Sequence, residues 1–262
     1  MRRASIVVVL LVALLPVARP AGAASVTVAA AGDIARPSFA TPQQQTAHLV
    51  ATFKPTAVFA LGDEQYPKGS LADFRRYYDA SWGTFKSITY PVPGNHEYET
   101  RDAAGYYAYF GRAAGDPAKG YYSFNIGSWH VVALNGECKQ IDCTAEKSWM
   151  QTDLAADTHL CEVAIYHRTM KSWPRELMKA AGGDLALAGH RHAYERWPRA
   201  DGLVRFTVGT GGGSLGKPAR GAIVGIATYG VLELTLRRSS FSWSFVDTSG
   251  KVRDSGSRNC RP

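Results

Sequence analysis

The chain has 262 residues and a formal charge of +8. Its basic residues are scattered rather than clustered, which suits an anionic substrate and argues against a nucleic-acid partner. It has no internal repeat, low-complexity linker or charge block, and beyond its first residues no apolar run long enough to span a bilayer, which excludes repeat and membrane-spanning classes.

The first stretch is expected to lie outside the fold. Arg2 and Arg3 precede an apolar run of 12 residues from Ile6 to Val17, and Ala21-Gly22-Ala23 follows as a small-residue cleavage site. That order predicts a secretory signal peptide over residues 1–23 and a single domain over 24–262, secreted and without a stable membrane anchor. Three arginines and no acid leave with the signal, so the charge falls to +5. Cys138, Cys143, Cys161 and Cys260 remain, and an even count in an oxidising compartment predicts two disulfides. Three pairings are open, of which Cys138–Cys143 with Cys161–Cys260 is favoured. Metal binding by these cysteines is disfavoured, because no C-x-x-C spacing occurs.

In chain order, Val26–Ala31 is expected as a buried strand. A helix follows from Thr41, with Thr41 as cap, Pro42 in the first turn and Gln44 completing a capping box. Strands are predicted over Ala57–Leu61 and Thr89–Pro93, with a helix over Leu71–Ala80 between them. Tyr121–Ile126 and Trp129–Leu134 flank Gly127-Ser128 as a hairpin. Helices over Ala145–Ala155 and Trp173–Ala181 alternate with strands over Val163–Tyr166 and Leu185–Ala188. Val204–Val208, Tyr229–Leu236 and Phe241–Val246 close the chain as strands. The pattern is that of an α/β domain with mixed sheets.

Hard metal-binding residues recur just after the predicted strands: Gly32-Asp33, Gly62-Asp63-Glu64-Gln65-Tyr66, Gly94-Asn95-His96-Glu97, His167, and Gly189-His190-Arg191-His192. Ligands bind at the carboxyl ends of strands in α/β sheets, so these five loops are expected to converge. The glycines are expected to let the backbone turn sharply. Carboxylate, imidazole, amide oxygen and phenolate together suit Zn, Mn or Fe, and one carboxylate can bridge two ions through its two oxygens.

The order GD, GD-x-x-Y, GNHE, H, GHxH resembles the calcineurin-like metallophosphoesterase superfamily, and the tyrosine points to its purple acid phosphatase-like branch of secreted bacterial type. The resemblance implies a sandwich of two mixed β-sheets flanked by helices. It also implies a metal-dependent phosphoric ester hydrolase with two ions, Fe plus Zn or Mn. By position, Asp33, Tyr66 and His192 would hold the first ion, Asp63 would bridge, and Asn95, His167 and His190 would hold the second. His96 would be the catalytic acid, and a hydroxide on the metals would attack phosphorus in line.

Three departures qualify the pattern. Ala35 stands where many members place a histidine, and Tyr66 compensates. His96 has no aspartate at the position that often orients it. No histidine occurs between His167 and His190, so Arg168 and Lys171 are candidates to grip phosphate, as is Arg191 within GHxH. His48, His130 and His159 are assigned to the scaffold, Tyr106–Phe110 to packing, and Glu64 and Glu97 more simply to solvent than to hydrogen bonds with ligands. Gly209–Gly213 is expected as a flexible turn near the site. The favoured activity is hydrolysis of small phosphate monoesters. A phosphodiesterase and a non-catalytic binder are the alternatives.

Overall fold

The computed structural model describes residues 25–37, 41–168, 172–199 and 202–261. The proposed signal and Lys171 lie outside the described residues. Thr41 begins a helix, but its side chain is likewise outside them.

Along the chain the elements are β1 (Val26–Ala31), α1 (Thr41–Phe53), β2 (Ala57–Ala60), α2 (Leu71–Asp73, continued by a π turn over Phe74–Tyr78), β3 (Thr89–Pro91) and α3 (Ala104–Phe110). The hairpin β4 (Tyr122–Ile126) and β5 (Trp129–Ala133) precedes α4 (Cys143–Ala156), β6 (Cys161–Tyr166), α5 (Trp173–Ala181) and β7 (Leu185–Ala188). The chain ends in β8 (Tyr194–Arg196), β9 (Val204–Val208), β10 (Val224–Ile226), β11 (Gly230–Arg237), β12 (Ser240–Asp247) and β13 (Val252–Asn259). Several helix ends carry expected chemistry: Ser70 accepts from Asp73 N–H at α2, Asp142 from Thr144 and Ala145 at α4, and Gly182 takes the left-handed conformation that closes α5.

These strands form two mixed sheets, ordered β13-β12-β11-β1-β2-β3 and β10-β8-β9-β7-β6-β5-β4. Pairing is parallel along β1-β2-β3 and β5-β6-β7-β9, and antiparallel toward the edges. The parallel strands are buried along nearly their whole length, as strands covered on both faces must be. Aromatic rings join the sheets: Tyr90 stacks on Phe124 at 3.9 Å, Tyr194 on Phe245 at 4.0 Å, and Trp129 meets Phe241 edge-on at 5.7 Å. Disulfides link Cys138 to Cys143 and Cys161 to Cys260, the favoured pairing, and the second ties the two sheets together. Among the described residues, no helix is long and apolar enough to cross a membrane.

Candidate metal centre

The three parallel strands of the first sheet and the two of the second that precede donor loops point their carboxyl ends at one place. Asp33 follows β1, Asp63 and Tyr66 follow β2, Asn95 and His96 follow β3, His167 follows β6, and His190 and His192 follow β7. Main-chain bonds lock these loops together: Gly32 N–H donates to Val208 O, Asp33 N–H to Gly62 O, Ile34 N–H to Asp63 O, and Gly189 N–H to His167 O.

The donor atoms fall into two groups that share one oxygen. Tyr66 Oη lies 2.8 Å from Asp33 Oδ1, 3.1 Å from His192 Nε2 and 3.1 Å from Asp63 Oδ2. Asp63 Oδ2 also lies 3.2 Å from His167 Nε2, which is 3.3 Å from His190 Nδ1. Asp63 Oδ1 is already occupied, accepting the backbone N–H of His96 at 2.9 Å. Asp63 Oδ2 is the oxygen that faces both groups.

The imidazoles are oriented by carbonyls. His167 Nδ1–H donates to Leu61 O at 2.8 Å and His192 Nδ1–H to Ser214 O, which turns each Nε2 toward the carboxylates. Asp33, Asp63 and His190 adopt positive φ values of 58°, 50° and 68°. Such left-handed conformations cost non-glycine residues about 1–3 kcal/mol each and persist where the surrounding bonds dictate them. Gly62 turns the chain as expected, with φ 80°, but the other three motif glycines act differently. Gly32, Gly94 and Gly189 are not in the left-handed region, but a Cβ at Gly94 would lie 2.2 Å from Asp63 Oδ1. They give clearance.

Charge is concentrated here. Burial alone would raise Asp63, but His167's charge and hydrogen bond hold its carboxyl well below the carboxylate range. His167, although burial opposes its charge, is lifted to about 10 by Asp63. Burial and the charges of Asp33 and Asp63 push the Tyr66 phenol far above its ordinary value. Burial and the neighbouring His167 lower His190, whereas the hydrogen bond to Asp33 raises His192.

These residues fit a pair of cations. Asn95 Oδ1 is buried and has no hydrogen-bond partner, an arrangement a metal bond would satisfy. The remaining donors are carboxylate, imidazole and phenol oxygens and nitrogens at mutual distances suited to shared coordination, and Asp63, His167 and His190 alone bring three ligand atoms within 4.8 Å.

Sequence reasoning missed the supports. Glu64 and Glu97 are fully buried, not solvated. Glu97 accepts backbone N–H bonds from Asp63, Gln65 and Gly94 and so ties the β2 and β3 loops together. Burial, then Asp63's charge, lifts its carboxyl to about 7. His96 does have an orienting partner: its Nδ1–H donates to Pro67 O at 2.6 Å, and its ring lies against Tyr66 at 4.4 Å between centroids. That leaves Nε2 free, 4.0 Å from Asp63 Oδ2. A backbone acceptor has no sequence signal. Gly209–Gly213 is buried and hydrogen-bonded, with Gly211 N–H on Gly32 O and Gly213 N–H on Asp33 O, so it walls the site rather than flexing over it.

Arg168 forms two 2.7 Å bonds to the buried Glu137 and brings Nη1 to 3.5 Å from His190 Nε2. Arg191 Nε is 3.2 Å from the buried Glu195 carboxylate, with half of its side chain exposed.

Fold and donor set together place the chain in a known family of metallophosphoesterase-type domains. The chain belongs to the calcineurin-like phosphoesterase family, whose model matches residues 26–194. Within it the chain is similar to purple acid phosphatases. It is 31% identical over 168 residues to purple acid phosphatase 15 of Arabidopsis thaliana, covering 50% of this chain and 32% of that protein. With purple acid phosphatase 22 of the same plant it shares 32% over 117 residues, 35% of this chain and 27% of the relative. The chain thus spans about a third of the length of these relatives. In fold it resembles the purple acid phosphatase PPD1 of yellow lupin, Lupinus luteus (TM-score 0.75, 17% identity, 92% of this chain and 55% of that one). It also resembles GAP50, the anchor in the inner membrane complex of Plasmodium (TM-score 0.65, 15% identity, 91% and 90%).

Proposed function

We propose that this chain is a secreted phosphatase that hydrolyses small phosphate monoesters at a two-metal centre. The observation that carries it is Asp63 Oδ2, placed between two donor groups with His96 Nε2 4.0 Å away. Asp33, Tyr66 and His192 would hold one ion, Asn95, His167 and His190 the other, with Asp63 shared. Tyr66 favours Fe(III) in the first position, since phenolate is a strong donor to that ion, and Zn or Mn suits the second. Bound there, the metals would supply Lewis-acid charge to the phosphoryl oxygens and lower the pKa of the attacking water.

The chain's own residues do the rest. His96, held by Pro67 O through Nδ1, offers Nε2–H to the departing alkoxide as a general acid. Arg168, held on Glu137, directs cationic charge past His190 toward a phosphoryl oxygen, and a monoester presents more such oxygens than a diester does. Tyr66 packs against the His96 ring and so fixes the acid relative to the first donor group. The fold alone does not carry the activity, because GAP50 shares it as an anchor. A non-catalytic binder, however, has no need of His96, which is no ligand in this assignment.

Export rests on the sequence of residues 1–23 and on the two disulfides. The mass of the exported chain tests it, since cleavage after Ala23 fixes Ala24 as the first residue.

The activity is tested by giving the purified holoprotein p-nitrophenyl phosphate and bis-p-nitrophenyl phosphate side by side, with Asp63→Asn as the blank. Faster turnover of the monoester, lost in the variant, is the expected result. Faster turnover of the diester assigns the site to phosphodiesters, and silence on both with metals bound overturns the catalytic reading. Metal analysis of the same sample decides iron, for a colourless iron-free protein with full activity contradicts it.

A further inference from the structure

The proposed catalytic centre occupies the carboxyl end of β6, but the amino end of the same strand carries a different set of donors. His130 on β5, Asp157 at the end of α4 and His159 in the connection to β6 each present one ligand atom, all within 4.8 Å of one another. His159 Nδ1 lies 2.6 Å from Asp157 Oδ1, and His130 Nδ1 lies 3.8 Å from that oxygen. Asn125, the register partner of His130 on β4, places Oδ1 2.8 Å from His130 Nδ1. From this geometry we infer a second, independent metal site, formed by His130, Asp157, His159 and Asn125 and selective for a divalent cation of the zinc class.

Two imidazole nitrogens, a carboxylate oxygen and an amide oxygen make a four-donor set suited to zinc. Donors about 2.1 Å from a tetrahedral ion stand roughly 3.4 Å from one another, and the separations here fall on both sides of that value.

His130 is prepared for the role from behind. It is 7% exposed, and its Nε2–H donates to Asp153 Oδ2 at 2.7 Å. Asp153 is fixed in turn by Ser123 Oγ, whose hydroxyl donates to its other oxygen at 2.6 Å. A carboxylate behind a ligating imidazole sets its tautomer and raises its basicity. A cation arriving at Nδ1 replaces the proton shared there with Asn125 Oδ1 and releases it to solvent.

Glu162, in register with His130 on the neighbouring strand, is 7% exposed, and its Oε2 has no hydrogen-bond partner.

The six residues of β6 separate this site from the proposed catalytic one by about 20 Å of strand. Its effect is therefore structural: one ion would pin β4, β5, the end of α4 and the entry to β6. The test loads the holoprotein with its catalytic metals, equilibrates it with a slight excess of zinc, and counts bound metal per chain. The expected result is one further zinc equivalent, kept in Asp63→Asn and lost in both His159→Ala and Asp157→Asn, with phosphoester turnover in these two unchanged. Cobalt in place of that zinc gives the strong visible absorption of a four-coordinate ion, and zinc raises the thermal midpoint of the wild type but not of His159→Ala. Equal metal contents in the wild type and His159→Ala, or a zinc-dependent midpoint that survives both variants, overturns the site.

Discussion

At position 94 a single methyl group is enough to disturb the shared carboxylate. A Cβ there would meet Asp63 Oδ1 at 2.2 Å and Asp63 N at 2.4 Å, and neither atom is free to withdraw. Oδ1 holds His96 N–H, and Asp63 N–H is bound by Glu97. Gly94→Ala must therefore push Oδ2 away from the two donor groups it joins. The expected loss is about 100-fold in turnover or more, the scale on which a displacement of about 1 Å acts, and metal content should fall with it. Metal analysis beside a kinetic assay checks this, and a fully loaded, fully active alanine variant would refute the clearance argument.

Among the elements, β13 shows what holds a strand that has no hydrophobic pattern. It reads VRDSGSRN, is mostly exposed and pairs on one side only, with β12. Asp254 anchors it, accepting from Tyr194 Oη at 2.6 Å, from Arg196 Nε and Nη2 at 2.8 and 3.0 Å, and from Trp243 Nε1 at 3.3 Å. Burial would raise the carboxyl, but the bonds from Arg196 and Tyr194 hold it below its ordinary value. Because the folded value is depressed, its contribution is present above the unfolded value near 3.9 and is lost as pH falls through the folded one. Asp254→Asn should lower stability by about 2–3 kcal/mol at neutral pH. Urea midpoints of wild type and variant should differ by a constant amount above about pH 5 and converge below about pH 4. A difference that persists at low pH would mean that shape, not charge, docks the strand.

The same element marks the limit of what the sequence discloses. β1, α5, β7 and β9 match their expected bounds, because their apolar runs and breakers are local signals. β8, β10 and β13 went unpredicted, since short or polar strands are specified by the partners they meet rather than by their own pattern. The helix expected over Leu71–Ala80 is present but turns to π geometry over Phe74–Tyr78, where Phe74 and Tyr78 pack on Tyr109 and Phe110. At the site, the donors Asp33, Asp63, Tyr66, His167, His190 and His192 were legible as motifs and stand together. Buried Glu97, Pro67 O behind His96 and Glu137 behind Arg168 were not, because backbone acceptors and distant carboxylates leave no spacing to read.

Across the whole molecule, the centre needs two sheets held in one alignment, and the two disulfides serve that need unequally. Cys161–Cys260 joins the sheets at the end away from the proposed catalytic residues and closes a separation of 99 residues, reinforced by Trp129 Nε1–H on Arg237 O. Cys138–Cys143 closes a separation of only 5, beside Glu137, which carries Arg168. Chain entropy assigns about 4–5 kcal/mol to the long loop and about 2 kcal/mol to the short one. Replacing Cys161 and Cys260 with alanine should therefore lower the unfolding free energy strongly while leaving KM and kcat unchanged well below the midpoint. Replacing Cys138 and Cys143 should cost less stability, about 2 kcal/mol, but free Glu137, so that Arg168 loses its aim and KM for a phosphate monoester rises several-fold. Urea unfolding and steady-state kinetics on the two double variants separate these outcomes. A stability loss confined to the short-loop variant, or a KM change confined to the long-loop one, would show that the proposed site is aligned by something other than the clamp between sheets and the Glu137–Arg168 pair.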